Sequence, residues 1–117
     1  SIVHCLWDCE HSRSFWQELE ELLHTNCNIV NDMQFNKTLI IFNTCAGFRS
    51  DEVFEFILVF AKYFIYQCRN EKVKPSIITF KRKLKKRYEI ELYNQKLSMT
   101  SAKYMSKWAG YLTLLDE

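Results

Sequence analysis

Glycine and proline are scarce in this sequence, which has two glycines and one proline in 117 residues. Domains built from β-sheets use both residues at their many turns, so the shortage favours helices. Apolar residues make up 48% of the chain and aromatic residues 15%, a composition that fits a folded domain and excludes a disordered segment. We therefore expect a mainly α protein, a small single-domain helical bundle of about four to five helices.

The usual signatures of an enzyme, a secreted protein or a membrane protein are also missing. The chain has no glycine-rich phosphate loop and no recognisable catalytic triad. Five irregularly spaced cysteines argue against a disulfide framework and favour a reducing compartment, the cytoplasm or the nucleus. The longest apolar stretch, 53–66, contains two charges and is shorter than the roughly 20 residues that span a bilayer. We expect no catalytic residues, no small-molecule substrate and no membrane partner.

Apolar residues with helical spacing predict a first helix, capped by Ser12 or Ser14, and a central helix that begins at a Ser50 cap. The central helix is expected to be buried except for a narrow polar stripe of Glu55, Lys62 and Arg69. The run 39–42 fits a strand or a helical turn equally well. The inward face predicted for the first helix is Phe15, Trp16, Leu19, Leu22 and Leu23.

Pro75 and Ser76 predict the start of a further helix, with Ser76 as its N-cap, and a last helix is expected over 101–115. The inward positions predicted for these two helices are Ile77, Phe80, Leu84, Tyr88 and Leu92 in the first and Tyr104, Trp108, Tyr111, Leu112 and Leu115 in the second. The cysteines Cys27, Cys45 and Cys68 have no partner spacing, so we interpret them as small buried residues.

The opening run His4-Cys5-Leu6-Trp7-Asp8-Cys9 carries the most specific motif. A histidine and a cysteine with four residues between them have the spacing of the second half of a zinc knuckle, and His4 and Cys9 are the candidate ligands. Cys5 is a weaker candidate, because adjacent residues seldom reach one ion. The first cysteine pair is not in the chain, so we expect a fragment of a longer protein. Residues 1–11 are then half a knuckle and 12–117 a helical domain.

Together with Phe-Trp-x-Glu-Leu at 15–19, this run resembles the C-terminal region of reverse transcriptases from non-LTR (LINE-type) retrotransposons. The resemblance is specific over 3–23 and loose beyond. It implies that His4 and Cys9 are the third and fourth ligands of a CCHC site that binds zinc in the intact parent, although we do not expect this fragment to bind zinc. It also implies an accessory role beside a polymerase and an endonuclease, in holding template RNA or target DNA during target-primed reverse transcription.

Charge of opposite sign is separated along the chain. Residues 1–61 carry a net charge of −6 and residues 62–117 a net charge of +8. Ten basic residues and a single acid, Glu71, fall within 62–87. Such a segment is suited to a phosphate backbone, although it also fits a solvated helix face or a nuclear localisation signal. The candidate nucleic-acid-binding residues are Arg69, Lys72, Lys74, Lys81, Arg82, Lys83, Lys85, Lys86 and Arg87, with Tyr93 as a candidate for stacking on a base.

Three interpretations follow, in this order. The first is a non-catalytic nucleic-acid-binding module whose partners are an RNA or DNA backbone and the parent polymerase domain in cis. The second is a structural or protein-interaction domain that packs against the parent polymerase without touching nucleic acid, and it predicts an exposed apolar patch. The third, a redox or metal enzyme built on Cys5 and Cys9, ranks far below both.

Overall fold

A computed structural model of the chain describes residues 4–26, 35–42 and 52–115, and in this part of the chain the predicted helical fold is confirmed. The described residues contain no strand. The predicted cap Ser50 and the cysteines Cys27 and Cys45 lie outside the described residues. The elements are a π-helical turn at His4–Asp8, α1 at Glu10–Asn26, α2 at Lys37–Phe42, α3 at Glu52–Asn70, α4 at Ile77–Leu97, α5 at Ser101–Trp108, a 3₁₀ turn at Ala109–Tyr111 and α6 at Leu112–Leu115.

One hydrophobic core draws residues from all of these elements. Phe80 of α4 is fully buried in it and makes edge contacts with Phe15 of α1, with ring centroids 5.3 Å apart. Phe64 of α3 lies 5.5 Å from both of these rings. Aromatic pairs in these tilted and edge-to-face arrangements stabilise a core beyond the effect of area burial alone. The inward faces predicted for α1 and α4 are confirmed, with Leu22, Ile77 and Leu92 half-buried at their margins.

The N-terminal run, in which we expect half of a zinc knuckle, forms a π-helical turn. The Cys9 amide donates to the His4 carbonyl at 2.8 Å, which closes the π turn. Trp16 of α1 donates its indole N–H to the Leu6 carbonyl at 2.6 Å, and Ser12 donates its hydroxyl to the Cys5 carbonyl. These bonds satisfy backbone oxygens that a buried turn would otherwise leave unpaired. The boundary expected between residues 11 and 12 falls inside α1.

The first helix begins at Glu10, so the predicted caps Ser12 and Ser14 lie inside it. Ser12 is buried and is committed to the Cys5 carbonyl, which explains why it does not cap the helix. The ambiguous run 39–42 is helical and belongs to α2. Asn36 caps α2, because its side-chain oxygen accepts from the Leu39 amide at 2.9 Å.

The outward side of α3 is wider and more apolar than the predicted narrow polar stripe. Glu55 and Arg69 are exposed, as expected, whereas Lys62 is half-buried. Val59, Tyr63 and Tyr66 are exposed as well, with 52%, 58% and 48% of their surface open to solvent. Because only one side of α3 packs on the core, its nearly continuous apolar sequence leaves some apolar side chains outside.

Among the described residues, α3 and α4 each end in a left-handed residue that is not glycine. The Val73 amide donates to the Cys68 carbonyl and the Lys72 amide to the Arg69 carbonyl, the hydrogen-bond pattern of a Schellman motif, with Lys72 at φ 57°. The same pattern closes α4, with Met99 at φ 60°. Side chains with a Cβ are strained in this region, and glycine is the residue that usually occupies it. The scarcity of glycine in the sequence is thus reflected in two strained helix ends.

Beyond these ends, the predicted cap Ser76 is confirmed, since its hydroxyl accepts from the Thr79 amide at 3.4 Å. The single helix expected over 101–115 is interrupted by the 3₁₀ turn that contains Gly110. The tighter turn still directs Trp108, Tyr111 and Leu115 into the core. None of the helices that the structure describes is long and apolar enough to cross a bilayer.

Candidate nucleic-acid interface

Helix α4 carries six cations in seven residues and is held to the core by three side chains. Phe80, Leu84 and Tyr88 are its buried positions, spaced at four residues, so they form one narrow stripe. All six cations of 81–87 are exposed or half-buried, which is where the core leaves them. The helix therefore presents its positive charge to solvent, as the sequence predicts.

The cations of α4 nevertheless point to three different sides. Arg82 and Lys86, four residues apart, share the face opposite Leu84. Lys83 turns back over α3, with its Nζ atom 5.7 Å from the centroid of the Phe64 ring. On the other flank, Lys81 lines a groove beside Glu18 and Glu21 of α1. The outer face of α4 is thus the part most open to a long polyanion.

Ion pairs with described carboxylates engage some of these cations and leave others to solvent. Arg87 pairs with Glu91 one turn later, with Nη2 and Oε1 3.5 Å apart, a pair that the i, i+4 spacing made predictable. Lys85 and Lys86 form no ion pair with any described carboxylate. In contrast, the two described cations of the acidic half are engaged there: Lys37 lies 3.9 Å from Asp8, and Arg13 lies over the ring of Trp7.

Tyr93 extends the outer face of α4. It follows Arg82 by eleven residues, about three helical turns, and 64% of its surface is exposed. Tyr88 and Trp108 are buried in the core, and Tyr104 is half-buried against it. Tyr88 stacks on Tyr104 with ring centroids 5.7 Å apart, and burial raises the pKa of both hydroxyls. Tyr93 therefore has the open ring face that stacking on an unpaired base requires.

The remaining predicted cations surround the turn between α3 and α4. Arg69, Lys72 and Lys74 line a groove of about 420 Å³, and the opposite wall carries His4 and Cys9. The fold thus brings together the half-knuckle and three of the candidate cations, which lie more than 59 residues apart in the sequence. The half-knuckle and the three cations can each be recognised in the sequence, but no local signal shows that they share one groove.

The N-terminal residues alone do not fit a complete zinc site. A structural zinc ion takes four nitrogen or sulfur ligands in a tetrahedron. In the described ranges no group of three or more His, Cys, Asp or Glu side chains is placed to hold a metal. His4 is exposed, Cys9 half-buried, and Cys5 buried in the core. Zinc binding by His4 and Cys9 stays a prediction for a longer parent protein that supplies two further ligands.

Comparison of the chain with protein-family models, with curated proteins and with solved structures found no match.

Proposed function

We propose that this protein is an accessory nucleic-acid-binding module that is not catalytic by itself and holds a single strand of RNA or DNA on the outer face of α4. The observation that carries the proposal is the exposed cation segment 81–87, in which Lys85 and Lys86 have no carboxylate partner among the described residues. Cations at helical spacing neutralise phosphates whatever the base sequence. Arg82, Lys86 and Tyr93 then form the strip along which a strand lies.

The setting we propose is the C-terminal region of a non-LTR retrotransposon reverse transcriptase. It is supported by the run His4 to Cys9 and by the Phe15-Trp16 pair that follows. Both aromatic residues are almost fully buried, consistent with a structural role for the motif in joining the N-terminal turn to α1. In this setting the module helps to hold template RNA or target DNA beside the polymerase during target-primed reverse transcription, in the cytoplasm and the nucleus.

The test is a salt titration of binding to single-stranded RNA and DNA. If about five phosphates are contacted, log affinity should fall with log salt at a slope of roughly −3 to −4. The double variant Arg82→Glu, Lys86→Glu should bind more than about tenfold more weakly at low salt, with a slope shallower by about 1.4. Lys81 is left intact, because a glutamate there would face Glu18 and Glu21 and disturb the fold.

The matched control is Lys37→Glu, Lys103→Glu, which makes the same change in net charge on exposed residues of α2 and α5, outside α4. It should retain most of the wild-type affinity. Equal losses in the two variants would show that net charge alone governs binding. Unchanged binding in the Arg82→Glu, Lys86→Glu variant would show that the interface does not lie on α4.

A second candidate function is supported by the exposed apolar surface of α3. Val59, Tyr63 and Tyr66 lie at i, i+4 and i+7 and are each about half exposed. An exposed apolar face of this kind is typical of a protein-interaction surface, here one that packs against the parent polymerase. This alternative predicts no appreciable affinity for RNA or DNA at physiological salt, so the same titration distinguishes the two functions.

A further inference from the structure

The groove between the N-terminal turn and the α3–α4 turn is lined by positive charge. Arg69, Lys72 and Lys74 line it, and no aspartate or glutamate of the described chain is among its lining residues. Its volume of about 420 Å³ lies in the range of small-ligand sites. Since His11 and Ser12 also line it, the groove meets the first turn of α1, where the helix dipole favours an anion.

Lys72 occupies this groove with a strained backbone. Its φ of 57° is the left-handed conformation that glycine adopts without penalty, and the Schellman bonds to Arg69 and Cys68 require that conformation. A lysine therefore stands where the backbone favours glycine, and its side chain lines the groove. Met99 has the same strain and the same hydrogen-bond pattern at the end of α4, but it is 92% exposed and lies outside this groove.

We propose that this groove binds a terminal phosphate monoester, the phosphorylated end of the strand that α4 holds. The inference rests on the proposed function, since the strand must first be bound. A monoester carries a charge of about −1.5 to −2 near pH 7, more than the single charge of a backbone phosphodiester. Three cations around one concave site, beside a helix N-terminus, match this higher charge better than they match a passing backbone phosphate.

The experiment compares single-stranded oligonucleotides of one sequence that carry a 5′-phosphate, a 3′-phosphate or hydroxyls at both ends. Wild type should bind one of the phosphorylated forms at least fivefold more tightly than the hydroxyl form. Lys72→Gly should abolish this preference while leaving affinity for the hydroxyl form within about twofold. Inorganic phosphate at millimolar concentration should also reduce the preference, because it competes for the same groove.

Met99→Gly is the matched control. Both glycine variants relieve a strained left-handed residue, so both should unfold at a higher temperature than wild type. Only Lys72→Gly should lose the preference for a phosphorylated end. A variant that gains stability and loses discrimination cannot owe that loss to a damaged fold.

The proposal is overturned if wild type binds all three oligonucleotides equally, or if Lys72→Gly keeps the preference. Equal weakening of all three by Lys72→Gly also overturns it, because the groove would then hold an internal phosphodiester. If none of the oligonucleotides binds, the proposed function itself fails. That outcome is distinct from binding without end preference.

Discussion

Helices α3 and α4 are nearly equal in length, with 19 and 21 residues, yet they contribute to the molecule in opposite ways. Helix α3 buries eight side chains, distributed over all of its turns, whereas α4 buries only Phe80, Leu84 and Tyr88. Helix α4 instead carries seven of the sixteen basic residues of the chain, and six of these seven are exposed. The comparison teaches that a few large anchors can hold a long polar helix, which leaves the rest of its surface for binding.

The largest expected effect concerns the central anchor of α4. Phe80→Ala should lower the free energy of unfolding by about 3–5 kcal/mol, because it removes a fully buried ring that contacts Phe15, Phe60 and Phe64. Urea denaturation followed by circular dichroism measures the change. Tyr93→Ala, on the exposed face of the same helix, should stay within about 0.5 kcal/mol of wild type. A loss below about 1 kcal/mol for Phe80→Ala would mean that α4 is held elsewhere.

A smaller effect is expected at the start of α4. Ser76→Ala removes the hydroxyl that accepts from the Thr79 amide, and such caps contribute about 1 kcal/mol. Because Phe80, one turn after the cap, is fully buried in the core, this local loss should be seen in global unfolding and not only as fraying. The comparison variant is Ser98→Ala at the other end, whose hydroxyl bonds the Asn94 carbonyl inside an already closed Schellman motif. Ser98→Ala should lower the free energy of unfolding by less than Ser76→Ala does in the same urea assay.

The smallest effect is a change in the dependence of stability on alkaline pH. Burial raises the pKa of Cys68 on α3 above its usual 9.0 and the pKa of Tyr88 on α4 above its usual 10.0. The unfolded chain therefore loses these protons first, so stability falls as pH rises from about 9. Lys62 acts in the opposite sense, because burial lowers its pKa and stability gains as its charge is lost.

Single variants separate these contributions to the pH dependence. Cys68→Ala should flatten the loss of stability just above pH 9, and Tyr88→Phe should flatten it above pH 10. The measurement is the urea midpoint at half-unit intervals of pH between 8 and 11. Profiles that coincide with wild type in both variants would show that neither buried group controls alkaline stability.

Much of the fold was predictable because helical spacing is a local property. The stripes of α1 and α4, the Ser76 cap and the placing of Trp108 in the core all follow from residues a few positions apart. The predictions that failed did so because tertiary contacts, which the local sequence does not show, decided the outcome. Ser12 was expected to cap a helix, but it bonds the Cys5 carbonyl instead. The width of the exposed face of α3 depends on which neighbours cover it, and no periodicity encodes that.

The candidate site divides in the same way. Each cation was found from composition, since a basic run with one acid is visible in any sequence. The directions of two of them were not, because Lys81 lines a groove beside α1 and Lys83 lies over the ring of Phe64 on α3. The groove that joins the half-knuckle to the α3–α4 turn was missed entirely.

The sequence by itself determined that this protein is helical and which residues are apolar enough to be buried. It also determined that positive charge gathers in 62–87, because period and composition are properties of neighbouring residues. Only the tertiary structure decided that the outer face of α4 stays open and that Lys72 shares a groove with His4. Those features arise from the packing of α1, α3 and α4 around Phe80, which joins residues far apart in the chain.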